Sequence, residues 1–199
     1  PLSTLERAAV PGAALDVPGL KDMPNVGADE PRVLLMEFSD FQCPYCRVGA
    51  ANLYEVMGAH DKVVRVWFVN TPLSFHDRAR DAALAALAAH RQGKFFAYAE
   101  QLFGHQDAMD DASLSAYASK VGLDIAQFEK DRASETVTGV LERGQRLAEL
   151  AQVSGTPMFI LNGRVIEGAR PPDVFDNMID EEVRKVEAVG SSLVVDLPV

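Results

Sequence analysis

The chain has 199 residues, 48% of them hydrophobic and 24% charged, with a formal net charge of −10. That is enough apolar material for a core without a disulfide framework, and the acidic balance argues against nucleic acid or an anionic membrane surface as partner. No apolar run approaches the roughly 20 residues of a membrane span, and the opening at Pro1 is expected to be a processed or trimmed end from which any export signal is already gone.

Residues 1–32 carry Pro1, Pro11, Pro18, Pro24 and Pro31 with several glycines. Proline fixes φ and removes a donor, so this segment is expected to be extended, with a short edge strand near Leu15–Val17 or Met23–Val26. Val33 to Phe38 (VLLMEF) is the first firm strand, apolar on both sides as a central, doubly covered strand should be. A helix follows from Pro44 to about Gly58, with Cys46, Ala50, Leu53 and Met57 on one face and Gly58 as its natural stop. Val63 to Val69 (VVRVWFV) is a second strand, and the helical crossover between the two implies parallel neighbours.

From Ser74 to about Gln152 the pattern is helical. Asp77 to Arg91 is alanine-rich with Leu84 and Leu87 on one face, and Phe95, Ala99, Leu102 and Phe103 follow at helical spacing. Asp110 and Asp111 are cap candidates for a helix bearing Leu114, Tyr117 and Val121, while Asp124 with Gln127 resembles a capping box. Val137, Leu141, Leu147 and Ala151 mark a fifth helix, weakened by Gly139 and Gly144. The aromatic stripe Phe95, Phe96, Tyr98 and Phe103 reads as core packing rather than a binding groove, given its helical period. Strands return at Met158 to Leu161, turn at Asn162-Gly163 and run back over Arg164 to Glu167. Pro171-Pro172 opens a last helix with Phe175, Met178, Ile179, Val183 and Val186 inward, and the tail LVVDLPV is either an added edge strand or a docked end. The order β-α-β, helices, β-β-α describes one α/β domain interrupted by helices. Its boundaries are an extended segment over 1–30, two sheet-bearing halves at 31–73 and 153–190, a helical insertion at 74–152 and a tail at 191–199.

The chemistry concentrates in EFSDFQCPYCR (Glu37 to Arg47), which holds both cysteines of the chain, Cys43 and Cys46. A strand that ends in Cys-x-x-Cys and turns into a helix sets the first thiol at a helix N-terminus, where unpaired N–H groups and the macrodipole favour an anion. The thiolate is the reactive form of cysteine. A purely structural cross-link is the poorer reading, because a loop of two residues constrains the unfolded chain very little. A zinc site would need two more ligands, and His60, His76, His90 and His105 form no paired spacing. The motif therefore reads as a redox-active dithiol with no metal and no cofactor.

CPYC after a strand, Gly155-Thr156-Pro157 before a hairpin and a helical block between them make the chain resemble the DsbA-like thiol:disulfide oxidoreductases of the thioredoxin superfamily. PLSFH (Pro72 to His76), QGKFF (Gln92 to Phe96) and GTPMFILNG (Gly155 to Gly163) carry the likeness, which extends from about Asn25 to Ala188. It implies a thioredoxin fold with a helical domain inserted between its halves, and a cis Thr156–Pro157 peptide beside the dithiol. It further implies Cys43 as the exposed nucleophile and Cys46 as the partly buried resolving thiol, with Thr156, Pro157, Pro44 and Tyr45 in contact with substrate. Glu37 matches the buried acid of the superfamily and is expected to have a raised pKa and to take or relay the Cys46 proton, unless it points outward into solvent. His76 is expected to be a capping or hydrogen-bonded histidine rather than a catalytic one. The implied partners are cysteine-containing protein substrates and a redox protein that regenerates the dithiol, in an extracytoplasmic compartment. Pro44-Tyr45 is the dipeptide familiar from glutaredoxins, whereas Pro-His is typical of strongly oxidising DsbA. The activity expected is protein disulfide exchange, as an oxidase aiding disulfide formation. The alternatives are a reductase or isomerase, and a peptide-binding module without catalysis.

Overall fold

The computed structural model describes residues 20–189, together with the backbone at 9–10 and 193–194. Seven strands and seven helices are found among these residues, in the order β1 (Ala9–Val10), β2 (Asn25–Gly27), β3 (Val33–Ser39), α1 (Pro44–His60), β4 (Val64–Asn70), α2 (Ala79–Arg91), α3 (Phe95–Gly104), α4 (Asp111–Lys120), α5 (Ile125–Arg132), α6 (Glu135–Leu150), β5 (Met158–Leu161), β6 (Arg164–Glu167), α7 (Pro172–Val189) and β7 (Leu193–Val194).

Five strands form one mixed sheet in the order β2-β4-β3-β5-β6. β3 and β4 run parallel, as the helical crossover requires, with Met36 opposite Trp67, and every other neighbouring pair is antiparallel. β3 lies at the centre and is buried along its whole length. Val33 and Leu35 pack with Leu53 and Met57 of α1 and Phe175 and Ile179 of α7. Leu34, Met36 and Phe38 pack on the other face with Leu147, Ala148 and Ala151 at the end of α6. Covering on both faces is why this strand is a continuous apolar run and not an alternating one. The five helices α2 to α6 lie between β4 and β5 in the chain; α2 to α5 share a core built on Ala82, Ala86, Tyr98, Leu102, Leu114 and Phe128, while Val137 and Leu141 of α6 pack on Ala83 and Leu87 of α2. A thioredoxin-like sheet with helices set between its two halves is the fold the resemblance implies, and it is the fold observed.

Several local expectations need correction. α1 does not stop at Gly58, which keeps an ordinary helical φ, but continues to His60. His60 Nε2 there meets Asp176 Oδ1 at 2.7 Å, fastening the end of α1 to α7. The capping box at α5 is only half made. Asp124 accepts from the Gln127 N–H at 2.9 Å, but the Asp124 N–H donates to the side chain of Gln92, also at 2.9 Å, so the second half of the cap comes from the end of α2. The fifth helix expected is α6, which runs through Gly139 and Gly144, and Gly144 has a packing role there. A Cβ there would stand 3.3 Å from the Asn70 carbonyl and 3.4 Å from Val69, so its absence lets α6 lie directly on β4.

The edge strand is at Asn25–Gly27, pairing with β4, whereas Leu15–Val17 lies outside the described residues. Leu193–Val194 of the tail pairs with Ala9–Val10 in a separate two-stranded sheet and is not an edge of the main one. Asn162 and Gly163 both have positive φ (45° and 85°), as a two-residue hairpin turn demands. The Asn162 side chain also accepts from the Leu34 N–H at 2.9 Å, tying the hairpin to the central strand. Among the described residues no helix is long and apolar enough to cross a membrane.

Candidate active site

β3 ends at Ser39, and four residues carry the chain into α1. Asp40 shapes this turn: its carboxylate accepts from the Gln42 N–H at 2.7 Å and its carbonyl from the Cys43 N–H at 3.1 Å. Cys43 is the N-cap of α1, in extended conformation, and Pro44 occupies the first helical position, where the missing N–H costs nothing. No side-chain oxygen caps this helix. Its first-turn N–H groups are therefore available to the Cys43 sulfur. Facing them is the loop before β5, in which the Thr156–Pro157 peptide bond is cis. The Cys43 thiol donates to the Thr156 carbonyl at 3.4 Å. From the helical block, the Gln106 side chain donates to the carbonyls of Phe41 (2.7 Å) and Cys43 (2.9 Å) and clamps the turn from above. Gly49, one turn into α1, makes the close approach possible: a Cβ there would meet Pro157 at 3.0 Å and Phe159 at 3.1 Å.

Cys43 and Cys46 are both free thiols here, and their acidities diverge. Hydrogen bonding from the Cys46 thiol, reinforced by the N–H groups of Cys46 and Tyr45 and by Thr156, pulls the Cys43 pKa down to about 6 against the opposing effect of burial. Burial, and the loss of its proton's bond to Cys43, push Cys46 far up. The Thr156 hydroxyl is buried without a hydrogen-bond partner, and a Cys43 thiolate beside it supplies the acceptor it lacks. The start of the helix thus contributes to the anion, but the second thiol contributes more. The expected exposure of Cys43 is corrected: the residue is only 5% exposed, against 0% for Cys46, because its sulfur lies against Thr156 and its carbonyl under Gln106. Pro44 and Tyr45 stand outside it, with Tyr45 68% exposed, while Thr156 is half-buried and Pro157 buried.

Glu37 is fully buried in the middle of β3. It does not point into solvent. The Tyr54 hydroxyl donates to one carboxylate oxygen at 3.0 Å, and the other oxygen has no partner. Burial raises its pKa from 4.5 to about 7, with the Tyr54 hydrogen bond only partly offsetting it. Alternation along the strand sets Glu37 and Ser39 on the same face. Ser39 stands between Glu37 and the dithiol turn in the chain, and its hydroxyl is likewise buried and unpaired.

Two residues of this site carried no signal in the sequence. The side chain of Asp40 is fully buried, and besides Gln42 it accepts from the Leu73 N–H and from His76 Nδ1, each at 2.8 Å. Its own N–H donates to the Cys46 sulfur at 3.3 Å. Gln106 was equally invisible, since an isolated glutamine 60 residues past the motif has no spacing to betray it. His76 is the hydrogen-bonded histidine expected. The aromatic stripe of α3 divides. Phe95 and Tyr98 are core residues, whereas Phe96 and Phe103 are partly buried and line a groove of about 580 Å³ with Arg47, Ala50, Tyr54 and Val26.

The family model described as Thioredoxin matches residues 21–181. A thioredoxin-like oxidoreductase from Silicibacter pomeroyi DSS-3 has a solved structure that is 30% identical and superposes with a TM-score of 0.76, over 87% of this chain and 99% of that one. A periplasmic thioredoxin-like protein from Salmonella enterica serovar Typhimurium is 25% identical, with a TM-score of 0.73 over 83% and 94% of the two chains. Among curated sequences, Na(+)/H(+) antiporter NhaA 3 of Salinispora tropica is 36% identical over 138 residues, which is 69% of this chain and 21% of the antiporter. The chain spans about a fifth to a quarter of the length of the curated relatives it matches. With its model matched over most of the length and the Cys43–Cys46 pair at the head of α1, the chain belongs to the thioredoxin family.

Proposed function

We propose that this chain is a protein thiol:disulfide oxidoreductase that works through Cys43 and Cys46 and acts in the oxidising direction. The observation that carries the reading is the Cys43 sulfur itself, held near pKa 6 by Cys46 and the first turn of α1 and set against Thr156. A thiol of low pKa is a good leaving group, and disulfides that contain one are readily reduced by substrate. A substrate thiolate attacks the Cys43 sulfur of the Cys43–Cys46 disulfide, the S–S bond breaks, and Cys46 leaves and takes up a proton. A second substrate thiolate then attacks the mixed disulfide on the substrate's sulfur and Cys43 departs as a thiolate. Two electrons pass from the substrate's thiols to the dithiol, and a redox partner protein must remove them before the next round.

The strongly raised pKa of Cys46 means that its thiolate needs a proton as soon as it forms. Glu37, buried and near pKa 7, is the group we assign to take or return that proton across Ser39. Thr156, Pro157, Pro44 and Tyr45 are assigned to hold an extended client segment by strand addition beside the sulfurs. Exposed Tyr45, Val48 and Phe75 (68%, 44% and 75%) supply apolar surface for it. Residues 74–152 serve in this reading as an inserted helical domain that delivers Gln106 to the turn. The likeness to a Salmonella protein described as periplasmic supports an extracytoplasmic site of action.

Reduction of client disulfides is the second reading, favoured by the Pro44-Tyr45 dipeptide and by a Cys43 pKa that lies nearer the value of about 7 in thioredoxin than that of about 3.5 in DsbA. Reduction potential decides between them, on a scale from about −270 mV for thioredoxin to about −120 mV for DsbA. The test is oxidation of a reduced, unfolded client by the disulfide form, with insulin reduction in parallel. An oxidase regains native client disulfides at a rate lost in Cys43→Ser. Activity in the insulin assay alone reassigns the direction, and full activity of Cys43→Ser refutes the enzyme.

A further inference from the structure

Asp40 is a buried carboxylate at the head of the active-site turn with every polar group engaged. Removing a carboxylate from water is expensive unless it is hydrogen-bonded throughout. Its acceptors hold Gln42 within the turn and Leu73 and His76 on the loop between β4 and α2. These contacts fix the orientation of the residue, and therefore of its N–H, whose acceptor is the Cys46 sulfur at 3.3 Å. We propose that Asp40 is a positioning residue for the dithiol: gripped by Gln42, Leu73 and His76, it aims its N–H at Cys46 and so sets how strongly the reduced pair is favoured over the disulfide.

The Asp40 N–H on the Cys46 sulfur makes the Cys46 S–H a better donor in turn, and that S–H is the group that most favours a Cys43 thiolate. That sequence of donors exists only in the dithiol. Oxidation removes both thiol protons and two electrons, converting one glutathione disulfide to two glutathiones in a redox buffer, and leaves no S–H to pass the polarisation on. The contact therefore favours the reduced form and raises oxidising power. The His76 side chain is 19% exposed, and its ring meets that of Phe75 in a T-shaped contact.

The inference rests on the redox reading of Cys43 and Cys46, and the experiment separates the two. Wild type, Asp40→Glu, Asp40→Asn and His76→Ala are equilibrated with glutathione buffers, and the Cys43 thiolate is titrated by its ultraviolet absorbance. Asp40→Glu keeps the charge but adds a methylene at a fully buried carboxylate whose oxygens are already set against Gln42, Leu73 and His76. It is expected to shift the glutathione equilibrium about 3- to 10-fold toward the disulfide, tenfold being about 30 mV for this couple, and to move the thiolate midpoint upward. His76→Ala is expected to move both in the same direction by about 2- to 3-fold, and it decides the matter if Asp40→Glu does not fold. Unchanged equilibrium and midpoint in both variants, whatever their melting temperatures, overturn the proposal. So does Asp40→Asn shifting toward the dithiol while Asp40→Glu matches wild type, since the charge and not the aimed N–H would then be responsible. A wild-type protein that exchanges nothing with glutathione sinks the redox reading itself.

Discussion

The hydroxyl of Tyr54 lies 3.0 Å from one oxygen of Glu37, so the acid beneath the dithiol is paired with the helix that carries the dithiol and not with a cation. One hydrogen bond does not compensate a carboxylate with its second oxygen buried and unpaired. Glu37 is therefore held with a raised pKa, and its cost appears as pH dependence.

Because the folded pKa of Glu37 (about 7) is above its ordinary value of 4.5, the contribution is fully favourable below about pH 4.5 and is lost as pH rises through 7. The span corresponds to a loss on the order of 3 kcal/mol. Glu37→Gln is expected to flatten the stability profile between pH 4.5 and 7.5, measured by urea unfolding at fixed ionic strength. The same variant tests the proton step, since an unaltered pH dependence of Cys46 reactivity removes Glu37 from the mechanism.

Gly49 sits where α1 passes over Pro157 and Phe159. An added methyl gains up to about 1 kcal/mol of helix propensity, but two ring systems must give way to accommodate it. Overpacking of this kind costs about 1–3 kcal/mol. Gly49→Ala is expected to lower the melting temperature, whereas Gly58→Ala, with nothing within 4 Å, is expected to be neutral or stabilising. Calorimetry of the pair checks the contrast.

Thr156→Val keeps shape and removes the buried hydroxyl that faces the two sulfurs. With one stabilising group gone, the Cys43 thiolate is expected to become harder to form, moving its titration upward. Relief of an unpaired buried hydroxyl should leave the stability of the dithiol form unchanged or higher. Alkylation rate against pH reads the first effect and thermal unfolding the second.

What the sequence disclosed and what it withheld follow from the range of the interactions. The dithiol at a strand–helix junction, the hairpin at Asn162-Gly163 and the doubly covered strand around Glu37 are local patterns, legible from neighbouring residues. Asp40 was not legible, because an aspartate before a helix is ordinary until Leu73 and His76, more than 30 positions away, are seen to converge on it. Gln92 completing the cap of α5, and Gln106 reaching back to Phe41 and Cys43, are tertiary facts of the same kind. The Cys43 environment was half legible. Its helix start could be read, but the covering by Thr156 and Gln106, which makes the residue buried, could not.

The depressed pKa of Cys43 also fixes a sign for the whole protein. A folded value near 6 against an ordinary value of 9 stabilises the reduced form above pH 9, and that stabilisation is lost as pH falls through 6. The stability of the reduced protein relative to the oxidised one is expected to grow as pH is raised from 6 to 9, as paired melting curves of the two forms would record.

The most direct measurement is the ultraviolet thiolate titration of the reduced protein, run beside Cys43→Ser. A single thiolate appearing with a midpoint near pH 6, absent from the Cys43→Ser variant and abolished by mild oxidation that joins Cys43 to Cys46, is the result the reading requires. A midpoint near 9, or an oxidant that leaves two separate thiols, contradicts it.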